Sequence, residues 1–430
     1  MTLGSRIKQF KPRSRRFFVL PLALISSGLL ASVCMDTEYF RPLTNGDGIR
    51  YPLTLSPAFW DLLGPVIPVK ATDGLIHLAY DIELSVRSPY PITSTSFEVI
   101  DPDNNNQVTG TNQIFTIANT NVTGKIEPFN NPAPLSDSTY VSTLNGGETG
   151  AIYFDVTYPN RQSVPAHISH QSTVNGTAGD PPAAGSFYAI DEPIYVSDRA
   201  PVVLSPPLRG KGWLVANACC RWISPHRGGL EPVNAQVRAP EMFAIDFEQL
   251  NDKGLTFTGS ETELSSYAYY GDDIYSSAAG KVVEVVRDLP DGTPGSDPAH
   301  PTAATASGNH VIVDIGEGRY IMYAHMIPGS PTVAVGDVIP EGMVIGKLGD
   351  SGNASAPHLH FQVMDRPSSL GAHGLPFVFD HMYREATYPG TLATELNDIQ
   401  VGIPLQLDYS TARSFHDTMP LTLDVLNFGK

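Results

Sequence analysis

From about Asp73 to Ser197, large apolar residues recur at every second position. Leu78, Tyr80, Ile82, Leu84 and Val86 form one such series, and Ile152, Phe154, Val156 and Tyr158 another. In an extended chain successive side chains point to opposite faces, so this period predicts strands with one buried and one wetter face. Pro102-Asp103-Asn104, Gly110 and Asn145-Gly146-Gly147 punctuate the series as turns. Short strands between such turns predict an antiparallel β-sandwich of immunoglobulin-like type over residues 60–200. The Gly/Pro/Ala-rich stretch Gly176–Gly185 reads as a mobile loop. Ser205-Pro206-Pro207-Leu208-Arg209-Gly210 breaks the periodicity as a linker. A second β-rich domain is then expected over 211–388, with strands at Phe243–Phe247, Val311–Ile315 and Tyr320–His325. The turn Gly316-Glu317-Gly318 joins the last two as a hairpin. Residues 389–430 carry few motifs and read as a C-terminal tail that either wraps the core or frays. The expected fold class is all-β.

Composition agrees with this outline. The 430 residues include 38 Gly and 37 Pro, which disfavours a helical bundle. The net charge of −17 argues against nucleic acid as a partner, because phosphate neutralisation requires Lys and Arg. Residues 1–34 hold six basic side chains and no acidic one, which leaves 21 basic against 44 acidic residues, a net of −23, in the remainder. That basic stretch leads into the apolar run Phe17–Val33, the pattern of an export signal. Ser14-Arg15-Arg16-Phe17-Phe18 resembles a twin-arginine export signature. Ala31-Ser32-Val33-Cys34 is close to a lipoprotein box, so cleavage, lipid attachment at Cys34 and an uncleaved anchor all stay open. The expected location is the periplasm, cell envelope or exterior. The other two cysteines, Cys219 and Cys220, are adjacent. They read as a vicinal disulfide or as two small residues buried in a tight turn.

Seven of the twelve histidines lie between 226 and 373. In Pro357-His358-Leu359-His360-Phe361 a strand would turn both imidazoles to one side and Leu359 to the other. Paired imidazoles suit a metal, although the motif also occurs on solvated strand faces. In Tyr320-Ile321-Met322-Tyr323-Ala324-His325, alternation places Tyr323 and His325 on one face. In Phe243-Ala244-Ile245-Asp246-Phe247, an Asp within an apolar strand either faces water or is paired with a cation. His167 and His170 lie close in sequence near Pro165, where a turn could join them. The ordinary reading is that neither binds a metal.

Taken together, these residues resemble the lysostaphin-type zinc endopeptidases, peptidoglycan hydrolases with a duplicated-hybrid-motif β-fold. The resemblance spans roughly Trp213–Phe377. It is carried by Gly308-Asn309-His310-Val311-Ile312-Val313-Asp314, Tyr323-Ala324-His325, Ser351-Gly352-Asn353 and Pro357-His358-Leu359-His360-Phe361, with Val335–Gly346 as an intervening hairpin. It implies that Asp246 and His360 are Zn2+ ligands and that His325 and His358 are the catalytic imidazoles. The family's first histidine usually stands four residues before the Asp, where this chain has Met242; His226, in Ser224-Pro225-His226-Arg227, takes that role from a longer loop. The implied function is an exported zinc metalloendopeptidase that hydrolyses peptide bonds of peptidoglycan with zinc-bound water as nucleophile. One of His325 and His358 would accept the water proton, and the other would stabilise the oxyanion or protonate the leaving amine. The alternatives are an inactive relative that binds cell wall or activates another hydrolase, a biotinyl-type carrier, and a structural envelope protein. The carrier reading lacks a lysine at the Pro340-Glu341-Gly342 turn.

Overall fold

The computed structural model describes residues 43–44, 50–51, 56–120, 143–178, 183–220, 224–296 and 302–429. Residues 1–34, expected to be an export or lipoprotein signal, therefore lie outside the described residues. Among those described, no helix is long and apolar enough to cross a membrane.

The N-terminal half is a pair of antiparallel sheets. One is ordered Ala58–Leu63, Ile76–Val86, Thr149–Tyr158, Asn112–Thr120, with Val69–Lys70 added to the second strand. The other is ordered Ala183–Ile190, His167–Ala178, Ile92–Asp101, Gln107–Val108. Their facing residues make one core. Tyr80 stacks on Phe154 at 4.8 Å between ring centroids, Phe154 stacks on His170 at 4.7 Å, and Phe97 closes the cluster. Burying such aromatic rings contributes on the order of 2 kcal/mol each.

Two local expectations change here. The ends of the Gly176–Gly185 stretch are paired strand rather than loop, Gly176 with Gly185 and Ala178 with Ala183, while residues 179–182 lie outside the described residues. His167 and His170 lie on one strand three residues apart, hence on opposite faces. His170 is buried between Asp191 and the Tyr80 hydroxyl, at 2.9 Å from each, and His167 meets Asp103.

The C-terminal half is organised by a ten-stranded antiparallel sheet. Its order is Val338–Ile339, Gly280–Val286, Asn309–Asp314, Tyr320–Met326, Leu359–Met364, Ile245–Gln249, Trp213–Ala216, Asp424–Asn427, Met382–Thr387, Arg413–Phe415. The segment after residue 388 supplies two of these strands and a Leu392–Gln400 helix capped at both sides of its first turn by Thr391 and Thr394. Val338–Ile339 and Val344–Lys347 do not pair with each other as a hairpin; they separate to join Gly280–Val286 and Asp273–Tyr275.

One face of this sheet is apolar throughout. Trp213, Val215, Ile245, Phe247, Leu359, Phe361, Ile321, Tyr323, Val311 and Val313 share a fully buried core. The opposite face carries the chemistry. Register places Ala216 beside Asp246, Asp246 beside His360, and His360 beside Ala324 in one row across four strands.

Candidate metal centre

Asp246 and His360 lie opposite each other on neighbouring strands, so the sheet itself sets their separation. His360 Nδ1 is 3.1 Å from Asp246 Oδ1. His358 enters at the head of the same strand, with Nε2 3.4 Å from Asp246 Oδ1, while Leu359 between them is buried in the core. The predicted sharing of a face by His358 and His360 is thus observed.

His226 arrives from the loop that joins Trp213–Ala216 to Ile245–Gln249. Ser224 caps a four-residue helix, Pro225–Gly228, by accepting from the Arg227 amide, and its hydroxyl donates to the Asn217 carbonyl at 2.8 Å. This fold-back puts His226 Nε2 3.1 Å from Asp246 Oδ2. Met242, four residues before the Asp, is packed in an apolar cluster and offers no donor.

His325 reaches the centre by a different route. Simple alternation would send it to the core with Tyr323, whose ring packs there and whose hydroxyl accepts from the Ser277 amide. Instead the pairing with Asn309–Asp314 slips between Asn309 and Val311, and His325 adopts a left-handed backbone with φ 62°. A bulge of this kind re-aims one side chain across the sheet. The His325 ring lies 4.6 Å from that of His358 and 5.8 Å from that of His360. The expectation that Tyr323 and His325 share a face is corrected, and the bulge is the reason.

Each imidazole is anchored by one nitrogen and turns the other inward. His226 Nδ1 donates to the Ala244 carbonyl at 3.3 Å, His325 Nδ1 to the Ser351 carbonyl at 2.7 Å, and His358 Nδ1 to the Ala356 carbonyl at 2.8 Å. His360 is reversed: its Nε2 donates to Gln362 Oε1 at 2.7 Å, leaving Nδ1 toward Asp246. Such anchoring selects the tautomer with a free inward lone pair. Asn217, in a left-handed turn, donates through Nδ2 to Asp246 Oδ2 at 2.8 Å.

Ser351 enters from sequence only as part of a motif, without a role; besides holding His325, its hydroxyl accepts from the Asn309 amide and donates to the Met326 carbonyl. Gly308 and Gly352 have positive φ and lie so close that a Cβ on either would collide with the other strand's backbone. The Gly308-Asn309 and Ser351-Gly352 motifs thus exist to let two turns touch. Asn217 and Gln362 carried no signal beyond being polar residues in apolar strand contexts.

The inward atoms of His226, Asp246 and His360 all lie within 4.8 Å of one another, and all three residues are buried. Two imidazole nitrogens and one carboxylate oxygen are a donor set for zinc that leaves a fourth position free. Donors on a tetrahedral zinc with bonds of about 2.0–2.2 Å sit about 3.4 Å apart, and the two imidazole nitrogens each lie 3.1 Å from one of the two Asp246 oxygens. The residues therefore fit the ion.

Among the protein's own charges, burial would raise Asp246, but the adjacent His226 and His358 rings overrule it and hold the carboxylate well below its ordinary range. Burial would likewise lower His226 and His358, yet Asp246 lifts each to about 9. Burial and the neighbouring rings of His358 and His360 push His325 well below its usual value. At the periphery, burial pushes Asp350 up to about 7, with His358 pulling the other way; neither of its oxygens has a hydrogen-bond partner. Glu395, on the C-terminal helix, is fully buried with both oxygens unpartnered. Burial and then Glu248 and Asp246 raise it well above the carboxylate range.

Residues 264–371 match the model of Peptidase family M23. The match contains His325, His358 and His360 but begins after Asp246, downstream of the atypical loop that carries His226. Among solved structures, the chain is similar to the catalytic domain of the prophage-encoded M23 protein EnpA from Enterococcus faecalis, at 15% identity over 40% of this chain and 92% of that one, with a TM-score of 0.23. It is also similar to the catalytic domain of the antimicrobial peptidase lysostaphin from Staphylococcus simulans, at 22% identity over 39% and 88%, TM-score 0.21. A zinc-containing peptidase from Vibrio cholerae matches at 14% identity over 73% and 85%, TM-score 0.24. On the strength of the family match, residues 264–371 form a peptidase family M23 (lysostaphin-type) domain.

Proposed function

We propose that the chain is an exported zinc metalloendopeptidase that cleaves peptide bonds of cell-wall peptidoglycan. Family M23 generally comprises zinc endopeptidases that hydrolyse peptidoglycan, and lysostaphin is an antimicrobial peptidase. The observation that carries the reading for this chain is the convergence of His226, Asp246 and His360, each imidazole anchored outward and each lone pair turned inward. Export rests on the residue 1–34 pattern alone.

His226, Asp246 and His360 would hold the ion. A bound zinc supplies Lewis-acid polarisation of a carbonyl and lowers the pKa of coordinated water to near ~7. The remaining work falls to His325 and His358. Their rings adjoin each other and the ligand cluster, and each commits its Nδ1 to a carbonyl, which turns Nε2 inward; that of His358 faces Asp246 Oδ1 at 3.4 Å. One ring takes a proton from the attacking water, and the other donates to the carbonyl oxygen or the departing amine. Such proton transfers contribute about 10²–10⁴-fold each. The buried setting strengthens these contacts by excluding bulk water.

The test is to incubate purified chain with peptidoglycan fragments and identify released peptide ends by mass spectrometry, alongside zinc content. New amino termini from wild-type chain, and about 10²–10⁴-fold slower release from His325→Ala or His358→Ala with zinc retained, are expected. Full activity in either variant would overturn the assignment. No activity in the wild type at full zinc occupancy would favour a non-catalytic wall-binding role.

A further inference from the structure

Of the proposed ligands, only His226 is not fixed by a sheet strand. The next residue, Arg227, points the other way, into the sandwich, and is 2% exposed. Its guanidinium donates to Asp81 Oδ1 through Nε at 3.3 Å and Nη2 at 3.1 Å, and to the backbone carbonyls of Cys220, Phe154 and Tyr80. Asp81 is fully buried in the Ile76–Val86 strand. Ligand and clamp are therefore joined by a single peptide unit within one capped helical turn. Around them, disulfide-bonded Cys219 and Cys220, with Met242 and Phe243, pack into the same cluster as Tyr80 and Phe154 of the sandwich.

We infer that Asp81 is a positioning residue for the metal centre: through Arg227 it fixes the loop that presents His226, so the sandwich is a component of the zinc site. This rests on the reading of His226 as a ligand. The physical reason is that a loop-borne ligand must be immobilised by something else, and a metal site tolerates little displacement of its donors. A fully buried ion pair with several carbonyl acceptors is a rigid clamp, and its stabilising value is modest beside its orienting one. The sandwich has a separate attachment that does not involve His226. Arg384 pairs with Asp424 at 3.1 Å, Asp424 accepts from the Thr72 hydroxyl at 2.5 Å, and Arg413 donates to the Thr72 carbonyl at 2.7 Å. Removing the Asp81–Arg227 clamp should thus leave the two halves docked.

The experiment uses the full chain and three variants: Asp81→Asn, the double variant Asp81→Leu with Arg227→Met, and His226→Ala. The double variant removes both charges, which avoids stranding one in the core. Zinc affinity is read by competition with a chromophoric chelator, coordination by the visible spectrum of the cobalt-substituted protein, and folding by thermal melting. The double variant is expected to melt cooperatively, to lose about 10–100-fold in zinc affinity, and to shift its cobalt spectrum toward that of His226→Ala. Asp81→Asn retains an acceptor for Arg227 and should keep affinity within a few-fold of wild type. A folded double variant with wild-type affinity and spectrum would overturn the inference. If His226→Ala itself leaves affinity and spectrum unchanged, the ligand assignment fails and the inference falls with it.

Discussion

The two halves of the centre are built by different means. Asp246 and His360 come from adjacent strands whose hydrogen-bonded register fixes their separation, with His358 just ahead of the second strand, and the core beneath them is fully buried. His226 and His325 come from irregular backbone: a capped turn held by a buried ion pair, and a bulge held by the Ser351 carbonyl. A sheet supplies position as a by-product of folding. A loop must acquire it from specific side-chain contacts, so mutations remote from the metal should disturb the loop-borne half more.

The largest effects should come from the strand-borne ligands. Asp246→Ala or His360→Ala is expected to remove zinc binding and reduce hydrolysis to background, measured by metal analysis and peptide release. Removing the proton-handling rings comes next. His325→Ala and His358→Ala should keep zinc and lower hydrolysis by about 10²–10⁴-fold; if His325→Ala also lost zinc, the bulge would be serving the ligand set. A smaller effect is expected where only an anchor is lost. Gln362→Leu removes the acceptor for His360 Nε2 and should weaken zinc affinity by about 10–100-fold with little change in melting temperature.

The smallest effect concerns the support beneath the loop. His77 is buried between Asp155 and Asp73, and its donor atoms lie near Cys220. Burial alone would lower its pKa, but the two carboxylates raise it to about 9 from an unfolded value of 6.5. The folded state therefore binds the proton more tightly. This stabilisation is fully present below pH 6.5 and is lost as pH rises through about 9. Melting temperature should fall across that window in the wild type, and the fall should flatten in His77→Gln.

What could be read from sequence follows the same division. Period-two patterns locate the strands, and the His358–Leu359–His360 alternation and the buried Asp246 follow directly from them. The facing of His325 could not follow, because a bulge with left-handed backbone violates the alternation on which the reading depends. The pairing of residues 176–178 with 183–185 was hidden because their glycines and alanines carry no apolar signal. Arg227–Asp81 joins residues 146 apart, and the closing strand Asp424–Asn427 reaches back to Trp213–Ala216. Such pairings are decided by tertiary packing, which local composition does not encode.

X-ray absorption at the zinc edge, on wild-type chain and on His226→Ala, tests the central claim most directly. Two imidazoles in the first coordination shell of the wild type, and one in His226→Ala, are predicted. An unchanged imidazole count in the variant would contradict a site shared between the sheet and the loop.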